Sequence, residues 1–74
     1  MISDPNTAKY ISELMLRCLQ EMTESIDTVK RTSSPDEALK YTKAVGLVTF
    51  RAVYDLLEPL YAQHPELKPP KWDD

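Results

Sequence analysis

His64 and Cys18 are the only histidine and the only cysteine in this sequence of 74 residues, and both are candidates for chemistry. A lone histidine serves as a general base or a metal ligand only with a second group in reach. No Cys, His or carboxylate stands with His64 at metal-ligand spacing on a helix. His64, followed by Pro65 near a helix end, is therefore expected to be solvated. Cys18 falls among apolar residues at helical spacing, where a thiol behaves as a small hydrophobe rather than a nucleophile. One cysteine also excludes an internal disulfide and any multi-cysteine zinc or iron–sulfur site.

Charged residues offer two further constellations. Glu21, Glu24 and Asp27 follow one another at three-residue steps and would gather a cation if they faced inward. Di-iron bundles supply an inward Glu-x-x-His pair, and this sequence has none. The three carboxylates are read as a solvated face, or as a recognition patch for a basic protein. Lys30, Arg31, Lys40 and Lys43 form a basic concentration, but Asp27, Asp36 and Glu37 dilute it and no aromatics interleave with it. Nine Lys and Arg against twelve Asp and Glu leave a net charge of -3, the wrong sign for a dedicated nucleic-acid binder. No nucleic-acid partner, metal, cofactor or catalytic residue is assigned, and the protein is expected not to be an enzyme. The rival reading is a small enzyme or metal-binding bundle whose site forms between subunits, around His64 or around Glu21 and Glu24.

The elements that carry these residues are helices. The six prolines stand at 5, 35, 59, 65, 69 and 70, and Gly46 is the only glycine. Asp4-Pro5 and Ser34-Pro35-Asp36-Glu37 are both helix starts: a capping residue precedes Pro, whose missing N–H costs nothing in the first turn. Ser34 and Glu37 also have capping-box spacing. Ala8, Ile11, Met15, Cys18, Met22 and Val29 form an amphipathic stripe, which predicts helix 1 over about 5–30. Arg31 to Ser34 form a tight connection. Helix 2 is expected over about 35–58, kinked or ended at Pro59. It carries two apolar stripes, one of Ala38, Tyr41, Val45, Val48, Ala52 and Leu56, the other of Leu39, Gly46, Phe50, Val53, Leu57 and Leu60. Leu47, Tyr54 and Tyr61 add a third line. Residues 65–74 read as an extended, Pro-rich tail, with Leu67 and Trp72 able to pin it to a groove.

The fold class is thus all-α: an antiparallel two-helix hairpin forming one domain over 1–74. A hairpin has one seam and no closed core, and chains this short usually need disulfides, metal or oligomerisation. Two hairpins pairing into a four-helix-bundle homodimer is the simplest closed solution, with Tyr41, Val45, Val48, Phe50, Val53 and Leu57 at the interface. The alternative folds the segment after Pro59 back as a short third helix that closes a monomer. Once a dimer forms, helix 1 would present Glu13, Leu16, Glu21, Glu24 and Asp27 to a basic protein partner, with Leu16 as anchor. Glu66, Asp73 and Asp74 would extend the same negative field. The longest apolar run, 44–48, is too short to cross a bilayer. The start lacks a basic, apolar leader, so no membrane partner and a cytoplasmic location are expected.

The residues Ser34-Pro35-Asp36-Glu37-Ala38, Val45-Gly46 and Pro69-Pro70-Lys71-Trp72-Asp73, spread over about forty positions, give the second half a resemblance. It is similar to the small helical bacterial immunity proteins that neutralise effector toxins of the type VI secretion system. The resemblance implies tight, non-catalytic binding of a cognate toxin by an acidic helical surface, and it assigns no residue. A non-catalytic protein-binding module is the expected function. A purely structural dimerisation subunit stays open beside it.

Overall fold

The computed structural model describes residues 1–72, and among these the chain is helical with no strand. Helix α1 runs Pro5–Thr32 and α2 runs Pro35–Ala52. A π-helical turn, Val53–Leu57, leads directly into α3, Glu58–Gln63. At 1.5 Å per residue the 28 residues of α1 span about 42 Å, which sets the 44 Å long axis of the molecule. Asp73 and Asp74 lie outside the described residues.

Both helix starts form as their local chemistry dictates. The Asp4 carboxylate accepts from the Thr7 hydroxyl at 2.7 Å and from the Asn6 N–H at 3.4 Å. These bonds, Thr7 first, hold its pKa below the ordinary 3.8. At α2 the capping box is complete: the Glu37 N–H donates to Ser34 Oγ at 3.2 Å, and the Ser34 N–H donates to Glu37 Oε1 at 3.1 Å. The Ser34 backbone N–H, with its hydroxyl, lowers the Glu37 pKa. Helix α1 persists to Thr32, two residues past the expected end, because Ser33 N–H still reaches Val29 C=O at 2.9 Å. Only Ser33 and Ser34 connect the two helices, which run antiparallel.

Pro59 does not stop the helical run, but the regular α-helix gives way just ahead of it, at Ala52, to a π turn over Val53–Leu57. Proline removes one donor and crowds the carbonyl four residues back. The π turn relieves this locally: the Glu58 N–H bonds to Val53 C=O, five residues back, and one looser turn carries the helix through Pro59. The helix therefore continues to Gln63, beyond the expected boundary near 58.

The continuation matters because the core lies there. Ala8, Leu57, Leu60 and Tyr61 are fully buried at the end that holds both termini. Ile2, Ile11, Met15, Leu16, Leu19, Val53 and Leu56 pack around them. The tail is not extended. Pro65–Leu67 form a 3-10 turn, the Trp72 N–H closes a second turn onto Pro69 C=O at 3.1 Å, and Leu67 and Trp72 pack on the cluster. The Trp72 ring stands edge-on to Tyr61, 5.1 Å between centroids, and its indole N–H donates to Glu58. The segment after Pro59 thus closes the terminal end of the hairpin, with α3 continuing the second helix instead of folding back on it as the alternative expectation had it. Toward the connecting turn the interior is thinner, with only the small Ala38 and Val45 fully covered among the apolar residues.

Two tyrosine–serine hydrogen bonds tie the helices across the seam. Tyr61 and Ser12 hydroxyls meet at 2.7 Å near the termini, and Tyr41 and Ser25 hydroxyls meet at 2.6 Å near the turn. Among the described residues no buried side-chain nitrogen or oxygen lacks a partner. Polar groups in this seam therefore fix register instead of costing stability.

Candidate interaction surface

Among the described residues no three His, Cys, Asp or Glu side chains gather where a metal could be held. His64 is not solvated: it is 7% exposed. Its Nε2 lies 2.6 Å from Ile2 C=O, and its Nδ1 lies 3.4 Å from Glu66. A carbonyl only accepts, so Nε2 carries the proton. The adjacent Gln63 Oε1 accepts the Ile2 N–H at 3.1 Å. His64 is thus a clasp for the N-terminal segment, bound to a residue that lies 62 positions away. Cys18 is half-buried along α1, as its apolar surroundings suggested.

The helix 1 surface is only partly as expected. Glu13, Glu21, Glu24 and Asp27 are exposed beside Arg17. Leu16, the expected anchor, is half-buried against the terminal cluster, which the returning tail enlarges beyond a two-helix seam. It is therefore not a free apolar contact on an acidic face.

The exposed apolar surface lies where the N-terminal part of the second stripe of α2 meets the third line. Leu39, Leu47, Phe50 and Tyr54 are 55%, 70%, 56% and 57% exposed. Gly46 lies among them, and Phe50 and Tyr54 stack with ring centroids 4.5 Å apart. At about 100° per residue, positions 39, 43, 46, 47, 50 and 54 share one side of the helix. Val48 projects from a different side with Ala44, Arg51 and Asp55, all exposed. Arg51 and Asp55 pair there at 2.7 Å, a solvated i,i+4 contact worth little. The stripe runs at its N-terminal end into a shallow groove of about 460 Å³ lined by Lys30, Ser33, Pro35, Ala38, Leu39 and Thr42.

Of the six residues expected at an interface between copies, Val45 and Leu57 are consumed inside the protomer. They face the seam with α1 and the terminal core, so a second chain cannot reach them. Tyr41 is half-buried and bonded to Ser25, and Val53 packs beside the core. Phe50 and Val48 remain exposed, but on different sides of the helix. Leu39, Leu47 and Tyr54 were legible as apolar lines, yet periodicity alone does not say which stripe α1 covers.

Neither backbone conformation nor space requires glycine at position 46. Its φ is not positive, and a Cβ built there would meet nothing within 4 Å. A mid-helix glycine costs about 0.5–1 kcal/mol relative to alanine.

Among the described residues no helix is long and apolar enough to cross a membrane. No family model, curated protein or solved structure matches the chain. The likeness to immunity proteins accordingly rests on the residues quoted above alone.

Proposed function

We propose that this protein is a non-catalytic protein-binding module that acts through the α2 face of Leu39, Leu47, Phe50 and Tyr54. One observation carries the reading: four large apolar side chains, each more than half exposed, share one side of the second helical run, outside the buried cluster. Scattered exposed apolar residues are ordinary, whereas a contiguous set that includes two aromatics marks a contact surface. A four-helix-bundle homodimer of hairpins is the closed assembly this reading favours. The basic toxin implied by the resemblance would instead meet the carboxylates of α1. Those carboxylates offer steering rather than an anchor, because their apolar neighbour Leu16 is occupied by the core.

A photo-crosslinking amino acid placed at 47, and separately at 21, tests the proposal in the full-length chain. Irradiation is expected to give a discrete covalent product from position 47 and none from position 21. A product from 21 alone would move the binding surface to α1, and no product from either would remove the binding reading.

A further inference from the structure

We propose that the N-terminal segment 1–3 and the tail 65–72 form a single strap over the terminal core, docking and releasing together because both are fastened to His64. This device lies at the terminal end of the hairpin and is independent of the α2 face. His64 caps the C-terminus of α3, and three of its groups address the two segments. Its Nε2–H donates to Ile2 C=O at 2.6 Å. Its own C=O accepts the Leu67 N–H at 3.0 Å, which closes the first turn of the tail. Its Nδ1 lies 3.4 Å from Glu66 in that same turn. The buried ring therefore stands between the segments, with one edge on each. Gln63 reinforces the N-terminal side by accepting the Ile2 N–H at 3.1 Å.

Apolar packing joins what these bonds position. Ile2 from one segment, and Leu67 and Trp72 from the other, pack on the same cluster of Ala8, Leu57, Leu60 and Tyr61. Trp72 meets Tyr61 edge-on and gives its indole N–H to Glu58. Release of Ile2 strips His64 Nε2–H of its acceptor inside the core, and a buried donor without a partner is costly. The ring escapes that cost by turning out to water, which withdraws it from the turn that carries Glu66 and Leu67. Loss of the tail acts in the reverse direction: water reaches the ring, competes for Nε2–H and loosens the hold on Ile2. A coupling of this kind is shared, so each segment stabilises the other by the same factor. Opening is local to the chain ends and leaves the seam between α1 and α2 in place. Its product is an apolar surface, the flank of the cluster on which Ile2, Leu67 and Trp72 pack, that the closed protein hides.

Water-exchange rates of two side-chain N–H groups in the isotope-labelled full-length chain test this, with helicity followed by circular dichroism. His64 Nε2–H reports the N-terminal segment, and the indole N–H of Trp72, the only tryptophan, reports the tail. Ile2→Asp should speed exchange at Trp72 about tenfold, and Trp72→Ala should speed exchange at His64 by about the same factor, with helicity retained. Ile2→Ala, a milder change, should act in the same direction. His64→Phe keeps a ring but neither nitrogen; it should reproduce the acceleration at Trp72, and Ile2→Asp added to it should change nothing more. Leu19→Ala, which thins the cluster from the side of α1, should leave both rates unchanged. Unaltered exchange at Trp72 in both Ile2 variants would overturn the coupling. Equal acceleration by Leu19→Ala, or full additivity of Ile2→Asp with His64→Phe, would overturn His64 as its carrier.

Discussion

Tyr61→Phe removes one oxygen atom from the most buried part of the molecule and leaves the packing almost intact. The phenyl ring still fills the core and still meets Trp72 edge-on. What is lost is the 2.7 Å bond to Ser12, whose residue is itself buried. A typical intramolecular hydrogen bond contributes about 0.5–1.5 kcal/mol net, and a buried group stripped of its partner costs about 1–3 kcal/mol. Ser12 can turn its hydroxyl back to a carbonyl of its own helix and recover part of that, so the expected loss is about 1.5 kcal/mol. For a chain of this length that lowers Tm by about 6–12 °C. Removing both hydroxyls leaves no orphan, so Ser12→Ala with Tyr61→Phe should cost less than the two single changes added together. Urea unfolding at one fixed protein concentration reads all four corners of the cycle, because assembly makes stability concentration-dependent. Additive single losses would mean that the two hydroxyls do not act as a pair, and the register assigned to the terminal seam would be wrong.

Other consequences follow from the same structure. Asp4 and Glu37 have folded-state pKa values lowered by their capping bonds. Their stabilisation is therefore complete above the ordinary carboxylate values and is lost as pH falls through the lower folded ones. Asp4→Asn with Glu37→Gln should flatten the decline of the unfolding midpoint below about pH 4.5, whereas an unchanged acid limb would refute the capping account. Trp72 emission should be blue-shifted from the water value in the native chain, and Trp72→Ala should cost about 1–3 kcal/mol through lost burial; water-like emission would mean that the tail does not dock. In a monomeric Leu47→Asp background, Gly46→Ala should stabilise by about 0.5–1 kcal/mol, read by thermal unfolding. A destabilisation there would show that the glycine serves the hairpin itself.

Legibility in the sequence tracked the range of the interaction. Asp4-Pro5 and Ser34-Pro35-Asp36-Glu37 marked both long helices because capping is chemistry among residues at most three apart. The all-helical hairpin followed from these starts and the apolar spacing between them. Pro59 marked a break in the regular α-helix but not its form, because the bond it forfeits is rerouted by a π turn, and a local rule for proline does not register that Leu57, Leu60 and Tyr61 hold the continuing helix by burial. His64 looked solvated because its acceptor, Ile2 C=O, is remote in sequence, and Tyr61 finds Ser12 across 49 positions. Leu16 looked like an isolated apolar residue until the tail returned to build the core beside it. The α2 face was half legible. All three apolar lines were visible, but the crossing of α1 decides that Ala38 and Val45 turn inward while Leu39 and Phe50 of the second and Leu47 and Tyr54 of the third stay out.

The most direct test of the central claim is an isotope-filtered nuclear Overhauser measurement on an equimolar mixture of labelled and unlabelled full-length chains. The filter reports only proximities between different copies, so helix packing inside one hairpin contributes nothing. The account predicts intermolecular signals to the Leu39 and Leu47 methyl groups and to the Phe50 and Tyr54 rings. Leu47 signals confined to its own chain, or intermolecular signals centred on Val48, would contradict it.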